Sequence, residues 1–275
     1  MPAVILEAES EREMMNNFED IIYEKRDGAA WITFNRPKVF NAIRLKMLKE
    51  LIIALEDADS DKSLASVVAT GKGEAFCAGG DLSLFKDFSQ EDGRAMTAQC
   101  LKLANLMRGM GKPVIAAING FCMGWGLEFV VFCDLAIAAD NAQFEQTELR
   151  VGSCPMFGAT QMFPLIMGDK RAREAIFLSK RYNAEEAERF GLINRVVAKD
   201  KLEEEVQAWC KRLLGMGPQS VRTAKVALGV LPDLMHSALR HGLALAPMLW
   251  NSPESKEAMA AFVEKRQPDF SQFRK

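Results

Sequence analysis

The chain has 275 residues, of which 49% are hydrophobic and 26% are charged, a balance typical of a globular protein long enough to form a large core. Its formal net charge of −2 at pH 7 offers no basic excess to a nucleic-acid backbone, so nucleic-acid binding is not expected. No apolar run is long enough to cross a bilayer, and we expect no membrane partner.

The N-terminal segment, residues 1–17, is acidic, with glutamates at positions 7, 9, 11 and 13. This pattern is unlike a secretory signal or a mitochondrial transit peptide, so we interpret the segment as a tail. The six cysteines include no Cys-x-x-Cys pair and are accompanied by only two histidines, which predicts no metal site. Small buried thiols in a reducing cytoplasm are the simpler interpretation.

The first two thirds of the chain alternate between strand and helix patterns. Residues 18–34 predict two strands joined at Asp27-Gly28, because short β-prone runs flank an Asp-Gly turn. A helix over 44–58, a buried strand over 66–70 and the loop GKGEAFCAGGDL follow. Next come a helix over 93–110, a strand over 114–118, the glycine-rich turn GFCMGWG, a short buried helix and the strand LAIAAD. This order predicts an α/β fold with mostly parallel strands and crossover helices.

From about residue 167 the pattern becomes mainly helical. Asn183 is expected to cap a short helix that ends at Gly191. Amphipathic spacing predicts further helices over 201–214, 220–231, 233–249 and 255–265. We therefore expect a core over residues 18–195 and a C-terminal helical region over 196–275, without independent domains.

Five segments carry a more specific signal. They are NRPKVFNA (35–42), AFCAGGDL (75–82), KPVIAAINGFCMGWGLE (112–128), FEQTELRVGSCP (144–155) and AFVEKR (261–266). In this order they resemble the signatures of the crotonase, or enoyl-CoA hydratase/isomerase, superfamily. The segments FEDIIYE and KRAREAIFLSKRYNAEEA also resemble the branch that contains naphthoate synthase and the ketocyclohexane-carboxyl-CoA hydrolases. The resemblance implies a spiral of ββα turns with a C-terminal helical region, homotrimers often paired into hexamers, and an acyl-CoA substrate with no separate cofactor.

Chemistry on an acyl thioester builds negative charge on its carbonyl oxygen, and two backbone N–H groups can stabilise that charge. The resemblance places these N–H groups at Ala78 and Trp125, in glycine-rich turns that let the backbone approach a ligand. Trp125 would also open the helix that carries Glu128, so the partial positive charge of the helix N-terminus would help. The alternative is that the glycines only form tight turns.

Two glutamates are the candidate catalytic pair. Glu128 falls in the first turn of an apolar helix, where a carboxylate must be paired, neutral or functional, and Glu148 lies in the next motif. Hydratases of the family carry glutamates at both positions, one accepting a proton from water and the other delivering one to the α-carbon. The alternatives are a helix-terminal charge for Glu128 and an exposed loop acid for Glu148. We interpret Glu145 as structural.

The resemblance also implies contacts with CoA. Arg44 matches a position that contacts a CoA phosphate in the naphthoate synthase branch, and Phe262 and Lys265 match positions that touch the adenine nucleotide, often from a neighbouring subunit. From spacing alone, Arg44 would be a solvated arginine at a helix start. Phe262 would be a core residue and Lys265 a surface residue.

Three bulky side chains depart from the family pattern. Trp125 stands where glycine is usual, and Met156 and Phe157 replace small, glycine-like positions. We expect them to line the acyl pocket and to fit it to a particular acyl group, short, flat or cyclic. If the backbone at Trp125 needed a positive φ, the tryptophan would be strained.

The expected reaction is the addition of water to a 2-enoyl-CoA, or its reversal. The naphthoate synthase branch typically lacks a glutamate at the position of Glu128, whereas this chain retains it. Two alternatives stay open: another crotonase-type reaction, such as double-bond isomerisation or ring or thioester hydrolysis, and a non-enzymatic or RNA-binding relative. His236 and His241 are five residues apart and Ser153 has no histidine partner in sequence, so neither a metal site nor a serine nucleophile is expected there.

Overall fold

The computed structural model describes residues 17–85, 89–229, 235–249 and 252–274. Most of the tail predicted at residues 1–17 therefore lies outside the described residues. No helix within the described ranges is long and apolar enough to cross a membrane.

The described residues form ten strands and eleven α-helices, joined by loops and short 3₁₀ helices. The strands are β1 (Ile21–Arg26), β2 (Ala29–Phe34), β3 (Ser66–Gly71), β4 (Ala75–Cys77), β5 (Val114–Ile118), β6 (Phe121–Met123), β7 (Leu135–Ala139), β8 (Gln143–Glu145), β9 (Tyr182–Asn183) and β10 (Arg195–Val197). The helices are α1 (Leu45–Ser60), α2 (Leu82–Phe85), α3 (Gln90–Gly109), α4 (Trp125–Val130), α5 (Ala159–Met167), α6 (Asp169–Phe177), α7 (Ala184–Arg189), α8 (Leu202–Leu214), α9 (Pro218–Leu228), α10 (His236–Leu249) and α11 (Pro253–Val263). The 3₁₀ helices are Pro37–Val39, Glu148–Val151, Lys199–Lys201 and Ser271–Phe273.

The strands form two sheets that the chain visits alternately. The larger has the order β1-β2-β3-β5-β7-β10 and is parallel except for the β1–β2 hairpin. The smaller has the order β4-β6-β8-β9, with only β8 and β9 antiparallel. Because β3, β5 and β7 are each followed by a strand of the small sheet, successive turns of the chain climb as a ββα spiral. The predicted fold class is confirmed.

The large sheet is buried on both faces, which explains why its central strands are apolar without alternation. Val67 and Ala69 of β3 pack in the main core, whereas Val68 faces a second cluster that contains Leu202 and Val206 of α8. The helices predicted beyond residue 200 form as α8 to α11, and the predicted ends at 231 and 233 lie outside the described residues. The first helix of the C-terminal region, α8, therefore packs directly against the sheet.

The structure also forms strands where the sequence predicted only a loop and a turn. β4 lies within GKGEAFCAGGDL and β6 within GFCMGWG, and each has three residues. Such a short run shows no alternation, so these strands are specified by pairing with each other and with β8. Since parallel strands end at the same edge of a sheet, this small sheet brings the two glycine-rich turns together.

Candidate active site

The loop that follows β4 is held in place by the segment NRPKVFNA. Asn41 is fully buried, and its side-chain amide donates to the carbonyl of Ala75 at 2.7 Å. Arg36 donates to the carboxylate of Asp81 at 2.7 Å. The first two motifs therefore form one hydrogen-bonded unit, which fixes the backbone between Cys77 and Asp81.

The backbone amide that this loop offers to a ligand is not the predicted one. The N–H of Ala78 donates to the carbonyl of Phe40 at 2.9 Å, so it is already committed and the expectation that it stabilises an oxyanion needs correction. Gly80 instead lies opposite Ile43 in a parallel bridge. The two backbone hydrogen bonds of Ile43 in this bridge go to the neighbours of Gly80 in sequence and not to Gly80 itself. The N–H of Gly80 therefore points away from Ile43 and has no acceptor in the part of the chain that the structure describes.

The second glycine-rich turn presents the predicted amide. Gly124 takes the positive φ of 52°, so Trp125 begins α4 with helical geometry and without strain. As the first residue of the helix, Trp125 has no intrahelical acceptor for its N–H. Gly126 must be glycine, because a Cβ there would lie 2.4 Å from the carbonyl oxygen of Cys77. A Cβ on Gly79 would lie 3.7 Å from the nitrogen of Trp125, which shows that the two turns adjoin.

Glu128 extends from the first turn of α4 into an enclosed environment. It is only 3% exposed, and its Oε1 accepts a hydrogen bond of 3.1 Å from the amide of Ala159, the first residue of α5. Among the described residues it forms no ion pair. A carboxyl group so enclosed without a cation favours its neutral form.

Glu148 opens the 3₁₀ helix that follows β8. Its carboxylate approaches the second glycine-rich turn, since a Cβ on Gly124 would lie 2.9 Å from its Oε1. With its amide oriented to satisfy both neighbours, the buried Gln146 donates to Oε2 of Glu148 at 2.9 Å and to the carbonyl of Gly124 at 3.3 Å. Gln146 thus fixes the Glu148 carboxylate relative to the turn that presents the Trp125 amide.

The two glutamates affect each other's protonation. Burial raises the pKa of Glu128 well above its ordinary value of 4.5, and the charge of Glu148 raises it further. Burial raises the pKa of Glu148 to about 7, although the backbone amides of Thr147 and of Glu148 itself oppose the shift. Two interacting carboxyl groups lose their protons in two separate steps, so there is a pH range in which this pair holds a single proton.

Glu145 has the structural role that the sequence analysis assigned to it. Its carboxylate is buried and pairs with Arg150 and, at 2.7 Å, with Arg181. Arg150 connects β8 to the 3₁₀ helix, and Arg181 connects it to the residues just before β9. Both ion pairs therefore support the loop that carries Glu148.

Both glutamates and both glycine-rich turns line one cavity of about 190 Å³. Its other walls come from α3, α10 and α11, through Met96, Cys100, Leu243 and Met259. Glu128 and Glu148 are the only charged residues among the described residues that line it. The arrangement offers two uncommitted amides and two proton-retaining carboxyl groups inside a mostly apolar pocket.

Comparison with known proteins identifies the family. The sequence model described as enoyl-CoA hydratase/isomerase matches residues 24–274. The chain belongs to this family. It is 32% identical to an enoyl-CoA hydratase subunit of Geobacillus kaustophilus, over 92% of this chain and 98% of that one, with a TM-score of 0.74. It is 31% identical to an enoyl-CoA hydratase of Bacillus anthracis, over 92% and 99% of the two chains, also with a TM-score of 0.74.

A more distant structure has the same fold. An enoyl-CoA hydratase of Mycobacterium avium subsp. paratuberculosis is 24% identical over 92% of this chain and 98% of that one, with a TM-score of 0.83. The local likeness to the naphthoate synthase branch is not confirmed by these comparisons. The crotonase assignment therefore holds at the level of the family.

The predicted acyl-pocket residues of this family member lie together. Trp125, Met156 and Phe157 all line the cavity. The indole of Trp125 stacks on the ring of Phe157, with centroids 5.2 Å apart and planes 5° from parallel. The buried indole N–H has no nitrogen or oxygen acceptor among the described residues, so packing holds the ring in place.

The predicted CoA-binding residues lie outside this cavity. Arg44 makes two hydrogen bonds to the carboxylate of Asp20, at 2.6 and 2.8 Å, which gives it a structural partner. Phe262 is 54% exposed near the end of α11, whereas spacing alone predicted a core position. Lys265 is exposed just beyond that helix. The roles of these three residues in binding CoA stay predictions.

Sequence reasoning did not assign a role to Gly80, Gln146 or Ala159. The bridge that turns the Gly80 amide outward is a contact between distant segments, and so is the bond from the Ala159 amide to Glu128. Gln146 carried a local signal, because it lies two residues before Glu148 after a three-residue strand. A polar residue in an otherwise buried segment beside a candidate acid could have been singled out.

Proposed function

We propose that the chain catalyses the addition of water across the double bond of a 2-enoyl-CoA, and the reverse dehydration. The observation that carries the proposal is the pairing of Glu128 and Glu148, both with raised pKa, in the cavity lined by the Gly80 and Trp125 turns. An acid, a base and an oxyanion site are the groups that this reaction needs.

In the proposed reaction, the thioester oxygen accepts hydrogen bonds from the N–H groups of Gly80 and Trp125. When the oxygen of water attacks C3, the electrons of the double bond move toward the thioester oxygen. These two donors therefore bind the transition state more tightly than the substrate. The N-terminus of α4 adds a favourable partial charge, because Trp125 is the first residue of that helix.

The glutamate pair supplies and removes one proton in each cycle. The ionised carboxylate takes a proton from water as the C3–O bond forms, and the neutral carboxyl group delivers its proton to C2. The pair holds one proton before and after the reaction. In the free site that proton resides on Glu128, because Glu128 is the more deeply enclosed of the two.

The test is the loss of the enoyl-thioester absorbance when the purified protein is mixed with crotonyl-CoA. We expect Glu148→Gln and Glu128→Gln each to lower kcat by about 10²–10⁴-fold, because each removes a proton-transfer group. Glu188→Gln, a change of the same kind at an exposed position of α7, is the matched control and should keep full activity.

Each other outcome has a defined meaning. Turnover that survives the loss of one glutamate at modest cost would favour isomerisation or hydrolysis over hydration. Absence of turnover on any acyl thioester, with a folded protein, would instead favour the non-enzymatic alternative.

We further propose that Phe262 and Lys265 contact the adenine nucleotide of CoA. Ser255 and Met259 of α11 line the cavity, so the exposed Phe262 lies about one helical turn beyond its wall. Lys265→Ala should raise KM for crotonyl-CoA with little change in kcat, because it removes a contact remote from the reacting atoms. An unchanged KM would exclude this contact.

A homotrimer or hexamer in the cytoplasm is proposed as the working state. Exposed apolar side chains near the end of α6 support assembly: Phe177 is 63% exposed and Leu178 is 73% exposed. Light scattering after size-exclusion chromatography measures the mass, and a monomer would contradict this proposal.

A further inference from the structure

An aromatic plate forms one wall of the acyl cavity. Trp125 and Phe157 stack within 5° of parallel, and both side chains are buried although both line the cavity. Phe129 packs against Trp125 at 5.5 Å between centroids, and Phe132 packs against Phe157 at 4.9 Å. Because both rings are supported by further rings, displacing either one would disturb a packed aromatic cluster.

The plate lies beside the groups proposed to react. Trp125 supplies one of the two amides for the thioester oxygen through its own backbone. Phe157 is two residues before Ala159, whose amide holds Glu128. The part of an acyl group beyond C3 must therefore pass close to these rings.

The remaining cavity is small and mostly apolar. Its volume of about 190 Å³ is below the 300–1,000 Å³ that is typical of pockets for drug-sized ligands. Its other lining residues include Met96, Cys100, Leu243 and Met259, and no charged side chain other than the two glutamates occurs among the described lining residues. Among the described lining residues, a carboxylate at the end of an acyl group would find no cation.

We propose that the Trp125–Phe157 plate selects a short, flat, conjugated acyl group and excludes long alkyl chains. This inference rests on the proposed function and names the substrate class for it. Because the two rings cover each other's faces, they present ring edges to the cavity, and the π face of a planar enoyl or dienoyl group packs edge-to-face against them. A saturated tail gains less from that contact and needs more volume. The backbone N–H of Trp125 is independent of its side chain, so selectivity can be altered without removing the oxyanion donor.

Two variants test the plate. Trp125→Ala removes the indole at a position with ordinary helical φ, and Phe157→Leu replaces the second ring without touching the Trp125 amide. Phe190→Leu is the matched control, because it makes the same substitution in a ring that packs on Tyr182, away from the plate, and that does not line the cavity. Circular dichroism establishes that each variant is folded.

The kinetic readout is kcat/KM for four thioesters: 2-butenoyl-, 2-hexenoyl-, 2,4-hexadienoyl- and 2-decenoyl-CoA. Relative to the parent, both plate variants should raise the decenoyl-to-butenoyl ratio at least about tenfold, the effect of relieving a steric limit worth a few methylenes. They should lower the hexadienoyl-to-hexenoyl ratio about threefold or more, since the edge-to-face contact with the conjugated group is lost. The control should leave both ratios unchanged within about twofold.

Binding of saturated acyl-CoA separates this inference from the proposed reaction. By calorimetry, the parent should bind butyryl-CoA at least about tenfold more tightly than decanoyl-CoA, and Trp125→Ala should abolish the difference, whether or not any thioester turns over. Parent turnover of crotonyl-CoA with unchanged ratios in both variants would overturn the inference while leaving the proposed function intact. Absence of turnover together with the expected binding difference would contradict the proposed function while supporting the inference about the plate.

Discussion

Replacing Glu148 by glutamine should make the protein more stable at alkaline pH while abolishing its activity. The pKa of this carboxyl group is raised from 4.5 to about 7 in the folded chain, mainly by burial. A group with a raised folded pKa stabilises the native state below pH 4.5, and that contribution is lost as the pH rises through 7. Glutamine cannot ionise, so the variant escapes this loss.

The size of the effect follows from the shift. A rise from 4.5 to about 7 corresponds to about 3 kcal/mol between the two limits of pH. The variant also removes the charge of Glu148 that raises the pKa of Glu128. This change, too, makes the variant more stable than the parent at alkaline pH. Relative to the parent, Glu148→Gln should therefore gain up to about 3 kcal/mol between pH 4.5 and pH 9, or roughly 6–10 °C in Tm.

Thermal unfolding followed by circular dichroism at pH 4.5, 7 and 9 measures this difference. Glu188→Gln, at an exposed position on α7, should follow the parent at every pH. A Tm difference between Glu148→Gln and the parent that is constant with pH, or that shrinks as the pH rises, would refute the assignment of a buried, proton-retaining carboxyl group.

Three further results are expected. For the parent, kcat/KM should rise with pH with a midpoint near 7, because Glu148 must be ionised for the pair to accept a proton. Gln146→Leu should move that midpoint to higher pH and lower kcat about tenfold, because it removes a donor that stabilises the ionised Glu148. Arg44→Gln should cost about 1–3 kcal/mol of stability by leaving the enclosed Asp20 with a weaker partner.

These three results have separate controls and contrary outcomes. A pH-independent kcat/KM between 5 and 8 would exclude Glu148 as the proton acceptor. Gln207, whose amide bonds to Glu203 on the surface of α8, provides a matched Gln→Leu control that should leave the midpoint unchanged. An unchanged free energy of unfolding for Arg44→Gln would contradict the structural role of the Arg44–Asp20 pair, and KM for crotonyl-CoA measured alongside tests the predicted contact of Arg44 with CoA.

Local sequence patterns predicted correctly those elements whose formation depends on residues close together in the chain. The Asp27-Gly28 hairpin and the long helices form as predicted, because their turn residues and apolar spacing act over a few residues. The strands β4, β6 and β8 were not predicted, since three residues carry no periodicity and the pairing partners lie far apart in sequence. Those short strands are what bring the site together.

The same lack of information about distant contacts explains why the predicted oxyanion donor at Ala78 was wrong. The sequence identifies the turn AFCAGGDL but not which of its amides is already bonded, and only the structure shows the bond from Ala78 to Phe40. The question of strain at Trp125 is answered by the neighbouring Gly124, which takes the positive φ. The proton affinities of Glu128 and Glu148 likewise depend on burial and on each other, which no local pattern encodes.

The most direct test of the account is to incubate the protein with crotonyl-CoA in ¹⁸O-enriched water and to weigh the intact thioester product by mass spectrometry. Hydration by the Glu128–Glu148 pair predicts a 3-hydroxyacyl-CoA that carries one ¹⁸O atom, formed by the parent and not by Glu148→Gln. Conversion of the thioester without ¹⁸O in the acyl chain, or release of free CoA with ¹⁸O in a carboxylate, would contradict it.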